Sequence, residues 1–225
     1  MNPIISLNEI ITTVTKALFA LGAPPGVDSE NGKNVAWLEA HKFPGVNILA
    51  KEINKIDALG EWPGFNVAEA DDGLTIDSLI PSGLILAQTG IDIAATGKVL
   101  HIKSCSAPLI LFAEAVRRVN KLERYNLNWV INGLPVEAEC SYKQCTLSGH
   151  QNNFSVAEGV IIQKIKSNYL HDPQPKNRVC RKFLTQGILV DREPWETILT
   201  VAKRGLVTST VQSRASAGAK FDDSN

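Results

Sequence analysis

The sequence predicts an α+β protein in which an N-terminal three-helix unit precedes a mixed, mainly antiparallel sheet with a central and a C-terminal helix. Apolar residues first recur with helical spacing; short β-branched runs between glycine turns then follow, and Pro108 and Pro194 open two more helical patterns. We divide the chain into a helical unit (residues 1–62), a sheet domain (63–207) and a tail rich in Ser, Ala and Gly (208–225). Together they are expected to form one integrated domain.

A capping box opens the first helix, because the Ser6 hydroxyl and the Glu9 carboxylate can satisfy free amides of the first turn. Gly22 and the two prolines after it end the helix. One apolar stripe repeats between these limits at Leu7, Ile10, Ile11, Val14, Ala17, Leu18 and Leu21.

Two more helices complete the N-terminal unit. The second begins at Asp28 or Ser29 and ends near His41, since Pro44 disfavours helical geometry at the preceding residue. The third starts at Pro44 and ends at Gly60. Its apolar face carries Val46, Leu49, Ile53 and Ile56.

The middle of the chain predicts strands at residues 83–87, 91–95 and 99–103, separated by Gly90 and Gly97. Pro108 then opens a helix that is expected to run to about residue 123.

A hairpin signal follows, in which Asn132-Gly133 joins strands at residues 127–131 and 136–141, because both turn positions favour positive φ. A last helix is predicted at residues 193–204. Further strands are predicted at residues 146–148, 159–166 and 183–190.

The charge balance excludes some classes of protein. Lys plus Arg and Asp plus Glu are both 23, so a dedicated binder of nucleic acid or of anionic membranes is not expected. No apolar run approaches the length of a membrane span, and no secretory signal is visible, so the cytoplasm is the expected compartment. The four cysteines are expected to be reduced thiols. No cofactor is predicted, and a homo-oligomer is left open.

Several short motifs extend over nearly the whole chain: Leu7-Asn8-Glu9, Lys16-Ala17 with Gly22, Gly26 with Glu30-Asn31-Gly32-Lys33, Trp37-Leu38-Glu39-Ala40, Pro44-Gly45, Pro108-Leu109, Trp195, Ser213-Arg214, Ala217-Gly218-Ala219 and Asp222-Asp223. With these motifs the sequence resembles an uncharacterised bacterial family, domain of unknown function 3726. The chain differs in having Ala217 and Lys220 where relatives tend to have glycine. The resemblance implies a bacterial origin and a shared architecture, but no reaction.

The first two helices and the glycine turn between them are also similar to the N-terminal hairpin of the malate/L-lactate dehydrogenase family that is unrelated to Rossmann enzymes. That family's Ser-His-Gly signature is missing, since the segment after the second helix is His41-Lys42-Phe43-Pro44-Gly45. This likeness carries little weight in the predictions.

Cys105 is a candidate catalytic nucleophile, because it lies between a strand and the helix opened by Pro108, where free amides favour a thiolate. The alternative is a buried, inert cysteine. Cys140, Cys145 and His150 form C-x4-C-x4-H, but the spacing is not that of a zinc knuckle, so no metal site is predicted. A basic stretch after His171 is either an anion-binding loop or, as we favour, a solvated loop.

The tail is the other candidate site. Arg214 offers a guanidinium fork to a carboxylate or phosphate, and Gly218 allows backbone amides to approach such a ligand. Asp222 and Asp223 are candidate acid/base groups, also treated as catalytic. The alternative is a disordered end.

Two function hypotheses follow. The first is a metabolic enzyme, or a binder, for a small anionic metabolite such as a carboxylate or amino acid. The second is a non-catalytic binding or assembly subunit that uses its N-terminal helices as a partner surface. No recognised catalytic signature decides between them.

Overall fold

The computed structural model describes residues 1–142, 144–149, 156–166 and 186–205. In chain order its elements are β1 (Ile4–Ile5), α1 (Leu7–Ala20), α2 (Val27–Ala40), α3 (Gly45–Leu59), β2 (Phe65–Ala70), β3 (Gly73–Ser78), α4 (Gly83–Ala95), β4 (Val99–Ile102), α5 (Pro108–Arg118), β5 (Glu123–Ile131), β6 (Leu134–Ser141), β7 (Gln144–Gly149), β8 (Val160–Lys166), β9 (Ile188–Leu189) and α6 (Arg192–Arg204). The predicted α+β class is confirmed.

The three N-terminal helices form as predicted, and apolar periodicity marks α1 and α3. Ser6 caps α1 by accepting a hydrogen bond from the Glu9 amide at 3.1 Å. The predicted inward stripe is fully buried at Ile10, Val14 and Leu18. Helix α6 packs against α1 and α3, so the last described helix completes the N-terminal helical layer.

The large sheet has the strand order β2-β3-β4-β8-β5-β6-β7. Among its described strands, β3 and β4 run parallel and every other pair is antiparallel, as the sequence predicted. The turn between β5 and β6 contains Asn132 and Gly133, both with positive φ (51° and 74°), which the Asn-Gly pair favours. Helices α4 and α5 cover one face of this sheet.

The strands predicted at residues 83–87 and 91–95 are wrong, because both segments belong to helix α4. This helix is buried along most of its length, and apolar runs on either side of Gly90 hide the helical periodicity. Ser82 caps it by accepting from the Leu84 amide at 3.2 Å. A Cβ at Gly83 would lie 2.2 Å from the Ala107 carbonyl oxygen, so glycine permits the close approach to the start of α5.

Two other boundaries differ from the predictions. Helix α5 ends at Arg118 rather than near residue 123, since Val119 takes an extended conformation that leads into β5. The hairpin of β2 and β3 was not predicted, because every residue of β2 before Ala70 is exposed and no apolar alternation marks it. Within the strand predicted at residues 183–190, the described part contains β9, which has two residues.

A buried polar network fixes α2 against α5. The carboxylate of Glu114, which is fully buried, accepts from the side-chain amide of Asn34 at 2.7 Å. Arg117 donates to the amide oxygen of Asn34 at 2.6 Å and to the Glu30 carboxylate at 2.7 Å. Because the far end of α2 carries the residues of the site described next, this network helps to position that site.

Candidate functional site

The best candidate site is a cleft of about 350 Å³ where α2 ends and α3 begins. We call it the Glu39 cleft. It is lined by Glu39, Lys42, Phe43, Pro44, Asn47, Ile188, Leu189, Val190 and Asp191. Its volume lies in the lower part of the range for small-molecule sites, and its apolar walls with a few polar groups are typical of them.

Glu39 lies in the last turn of α2, and its side-chain oxygen Oε1 accepts a hydrogen bond from the Val46 amide at 2.7 Å. Burial, with a smaller contribution from the charge of Asp191, raises the pKa of this carboxyl from its ordinary value of 4.5 to about 7. The amides of Val46 and Gly45 act in the opposite direction. The carboxyl can therefore both accept and donate a proton near neutral pH.

Lys42 provides the positive charge among the residues that line the cleft. Its side chain is exposed, and its backbone has a φ of 66°, in the left-handed region. This conformation costs a non-glycine residue about 1–2 kcal/mol. Here it ends α2, because the Phe43 amide donates to the Leu38 carbonyl at 2.9 Å, as in the common left-handed helix terminus.

The opposite wall is held by the two ends of the described chain. Strand β1 pairs with β9 through Ile4 and Leu189, and the Val190 amide donates to the Pro3 carbonyl at 3.1 Å. Asp191 accepts from Asn47 at 2.7 Å and from Asn2 at 3.2 Å. These bonds bring α3, the N-terminal segment and the start of α6 together around one carboxylate.

Aromatic rings support the loop beneath the cleft. The His41 ring stacks on Trp37 with a centroid distance of 4.0 Å, and its Nδ1 lies 2.7 Å from the Trp37 carbonyl oxygen. A carbonyl oxygen accepts only, so this contact assigns the proton to Nδ1 and leaves a lone pair on Nε2 of the neutral ring. Phe43 packs edge-on against Phe112 of α5 at 6.2 Å. The loop is thus anchored to the core on both sides.

Cys105, the predicted nucleophile, lies elsewhere and is completely buried. Its thiol donates to the Ser106 carbonyl at 3.1 Å, and burial together with the charge of Glu52 raises the pKa of the thiol. The helix that begins at Pro108 does not activate it, because desolvation dominates. The catalytic role of Cys105 stays a prediction, now without a described route to solvent.

Cys140 and Cys145 are cross-strand partners in β6 and β7, and Cys140 is buried. Within the described ranges no three His, Cys, Asp or Glu side chains come together in a group that could hold a metal ion. His150 lies outside the described residues, as do His171 and the basic stretch after it.

The predicted tail residues Arg214, Gly218, Asp222 and Asp223 also lie outside the described residues, so their roles stay predictions. Glu39 was missed as a site residue, although a signal was present. A carboxylate in the last turn of a helix is disfavoured by the helix dipole, and no basic residue accompanies it there. Such a residue requires a partner beyond its own helix, which here is the start of α3.

Comparison with known proteins finds a family model that matches part of the chain. Residues 5–83 match a family described as "Protein of unknown function (DUF3726)". The resemblance is confirmed for these residues. They contain α1, α2, α3 and the first hairpin, and with them Glu39 and Lys42. The later motifs, at Pro108, Trp195 and the tail, lie outside the match. No curated protein matches the sequence.

Solved structures with a similar fold include proteins described as dehydrogenases. An E. coli protein with a provisional malate/lactate dehydrogenase assignment has a TM-score of 0.56 at 7% identity, with 96% of this chain and 99% of that chain covered. A dehydrogenase from Sinorhizobium meliloti has a TM-score of 0.52 at 10% identity, covering 97% of this chain and 72% of that one. At such identities the likeness shows the fold alone.

Sulfolactate dehydrogenase from Methanocaldococcus jannaschii is similar over 66% of this chain, with a TM-score of 0.50 and 11% identity. The match covers 51% of that protein, so the chain spans about half its length. The likeness of the first two helices to the malate/L-lactate dehydrogenase family stays a prediction, because at these identities the solved structures show a similar fold alone. Among the described helices, none has the length and apolar character that crossing a bilayer requires.

Proposed function

We propose that the Glu39 cleft binds a small carboxylate-bearing metabolite and that Glu39 exchanges a proton with it, as in a metabolic enzyme. The observation that carries this proposal is a carboxyl group with a pKa of about 7 in an open cleft that also contains a lysine. Acid/base groups work best when their pKa lies near the operating pH, and perturbed carboxyls cluster at functional sites.

The division of roles follows from the charges. Lys42 pairs with the carboxylate of the ligand, and the Asn47 side chain adds hydrogen-bonding capacity beside it. Protonated Glu39 donates to a ligand oxygen, and ionised Glu39 accepts a proton from the ligand. Phe43, Ile188 and Val190 exclude water from the apolar part of the ligand. The dehydrogenase-like fold is compatible with this ligand class.

The proposal contains no redox step. Dehydrogenases transfer a hydride through a cofactor such as a nicotinamide dinucleotide. The Glu39 cleft has the volume of a small metabolite site, and its described lining residues include no glycine-rich phosphate-binding turn. These residues do not fit a dinucleotide, so we derive no hydride transfer at this cleft.

Carboxylate binding is tested by calorimetric titration with L-lactate and L-malate at pH 6 and pH 8. We expect tighter binding at pH 6, because ionised Glu39 repels the ligand at pH 8. Lys42→Met should weaken binding at least tenfold, whereas Lys51→Met, which removes an exposed charge on α3 outside the lining, should leave the affinity unchanged. If neither compound nor any other small carboxylate binds, the proposal fails.

The predicted tail residues belong to the same proposal. Arg214 would provide a second cation for the ligand, with Gly218 allowing close approach and Asp222 or Asp223 assisting proton transfer. Cys105 remains a second candidate catalytic group on sequence grounds. Each of these assignments rests on the residue types alone.

The alternative, a non-catalytic binding or assembly subunit, is favoured by a different observation. The side chains of Ile4, Phe19 and Leu189 are more than 60% exposed, and Ile4 and Leu189 are cross-strand neighbours beside the cleft. Exposed apolar side chains of this size favour contact with another chain. Light scattering for the oligomeric state, together with the carboxylate titration, distinguishes the two functions. A monomer that binds carboxylates supports the enzyme. A stable oligomer that does not bind them supports the subunit.

A further inference from the structure

We propose that the metabolite of the Glu39 cleft is an amino acid, with its ammonium group held by Glu39 and Asp191 and its carboxylate paired with Lys42. This inference rests on the proposed function and specifies its ligand class. It follows from the charges that line the cleft, the position of the acid pair and the shape of the apolar wall.

The charged side chains of the cleft include more acids than bases. The lining contains two carboxylates, Glu39 and Asp191, against one ammonium group, that of Lys42. A simple anion would pair with the lysine and meet both carboxylates at the same time. A ligand that carries one negative and one positive group matches all three charges, because its ammonium lies with the acids and its carboxylate with the lysine.

The two acids, Glu39 and Asp191, interact electrostatically. Asp191 lies close enough to Glu39 for its charge to raise the pKa of that carboxyl, and both side chains border the same cleft. Asp191 is held in place by amide donors from Asn47 and Asn2, and no lysine or arginine in the described part of the chain forms an ion pair with it. Two adjacent carboxylates that no described lysine or arginine neutralises form a site for an ammonium group.

Each element around Glu39 contributes groups that agree with an amino-acid ligand. The loop after α2 contributes Lys42, and α3 contributes the Gly45 and Val46 amides and the neutral Asn47. The segment before α6 contributes Asp191. A bound ammonium would favour ionised Glu39, so binding of an amino acid releases protons near pH 7. Binding of a simple carboxylate favours protonated Glu39 and takes protons up.

The size of the cleft limits the size of the ligand. Phe43, Pro44, Ile188, Leu189 and Val190 form an apolar surface beside the charged groups. A cleft of about 350 Å³ leaves room for a small or medium aliphatic side chain in addition to the charged end. Amino acids such as alanine and valine fit this description, and their 2-hydroxy analogues differ from them in the amino group alone.

The test compares matched ligands. L-alanine and L-valine are titrated calorimetrically against L-lactate and L-2-hydroxyisovalerate at pH 7, in two buffers of different ionisation enthalpy. We expect at least tenfold tighter binding of each amino acid and a net release of protons. Asp191→Asn should remove most of this preference while binding of the hydroxy acids is retained. Glu193→Gln, an equal charge change on exposed α6 outside the lining, should preserve the preference.

The outcomes separate this inference from the proposed function. Hydroxy acids that bind as tightly as the amino acids, or that bind alone, overturn the amino-acid assignment and leave the carboxylate site standing. Proton uptake on amino-acid binding also contradicts it, because the ammonium would then not lie beside Glu39. If neither class binds, the proposed function and the inference both fail.

Discussion

The charge of Glu39 is destabilised by its position at the end of α2 and stabilised by a hydrogen bond from α3. At the end of α2 its charge meets the negative end of the helix dipole, whereas the start of α3 presents the Val46 amide to its oxygen. Burial and the charge of Asp191 keep the pKa of the carboxyl near 7. The residue therefore couples the proton concentration to the folding of the chain.

This coupling predicts how stability depends on pH. Because the pKa of Glu39 is raised from 4.5 to about 7, the folded state binds more protons than the unfolded state between these values. The stabilising contribution of the protonated carboxyl is present below pH 4.5 and is lost as the pH rises through 7. Glu39→Gln should therefore be as stable as the parent chain at pH 5 and more stable at pH 8, by up to about 3 kcal/mol.

The measurement is urea denaturation across that pH range. Glu61→Gln is the matched control, since Glu61 is exposed after α3 and the substitution removes the same charge. Equal pH profiles for Glu39→Gln and the parent chain would contradict the burial and charge effects that we assign to Glu39.

Cys105 gives a second prediction at this scale. Its thiol is inaccessible, and its pKa is raised by burial, so the reactive thiolate is scarce at neutral pH. In native protein at pH 8, iodoacetamide should modify Cys145, which is partly exposed, much faster than Cys105. Peptide mass mapping over time measures both rates. Rapid modification of Cys105 would instead favour its predicted role as a nucleophile.

At the scale of elements, the amphipathic pattern of α1 separates neighbours that lie on opposite faces. Leu18 is fully buried, whereas Phe19 is 63% exposed. Leu18→Ala should reduce the free energy of unfolding by about 2–5 kcal/mol, because it removes packed methyl groups and leaves a cavity. Phe19→Ala should change it by no more than about 0.5 kcal/mol.

Thermal and urea denaturation of the two variants measure these differences. Both variants place an alanine in the same helix, so helix propensity cannot account for a difference of this size. A large effect of Phe19→Ala with a small effect of Leu18→Ala would mean that the buried face of α1 is assigned wrongly.

The helices of this chain also show when periodicity is informative. Helices α1 and α3 each bury one face and expose another, so their sequences carry the 3.6-residue pattern. Helix α4 packs against α5, β4 and β8 and has few polar residues to mark an outer face. Its β-branched runs favour strands when considered alone, and the tertiary contacts outweigh that propensity.

At the scale of the whole molecule, the tail provides a test of the proposed function. If residues 208–225 contribute Arg214 to ligand binding, deleting them should abolish carboxylate binding. The thermal stability should change little, because a segment rich in Ser, Ala and Gly buries little apolar surface. Calorimetry and thermal denaturation of the truncated chain measure the two effects.

Arg214→Gln in the full chain is the matched variant, since it removes the guanidinium and retains the segment. Unchanged affinity in both variants would remove Arg214, Gly218, Asp222 and Asp223 from the site and leave the Glu39 cleft with Lys42 as its cation. A large loss of stability on truncation would show instead that the tail belongs to the core.

The sequence by itself determined the elements whose causes are local. The Ser6 cap, the apolar stripes of α1 and α3 and the Asn132-Gly133 turn each depend on residues a few positions apart. These features predicted the fold class, and the match of residues 5–83 agrees with the family resemblance.

The tertiary structure decided the candidate site. Glu39 and Asp191 line the same cleft because β1 pairs with β9, and because Asn2 and Asn47 both donate to Asp191. These contacts join segments more than 140 residues apart, and a two-residue strand has no periodicity that would reveal its partner. The raised pKa of Glu39 also depends on burial and on a charge from that distant segment. Neither cause is a property of the neighbouring residues, so the local signal at Glu39, an acidic residue in the last turn of α2, could not reveal the distant segment that completes the site.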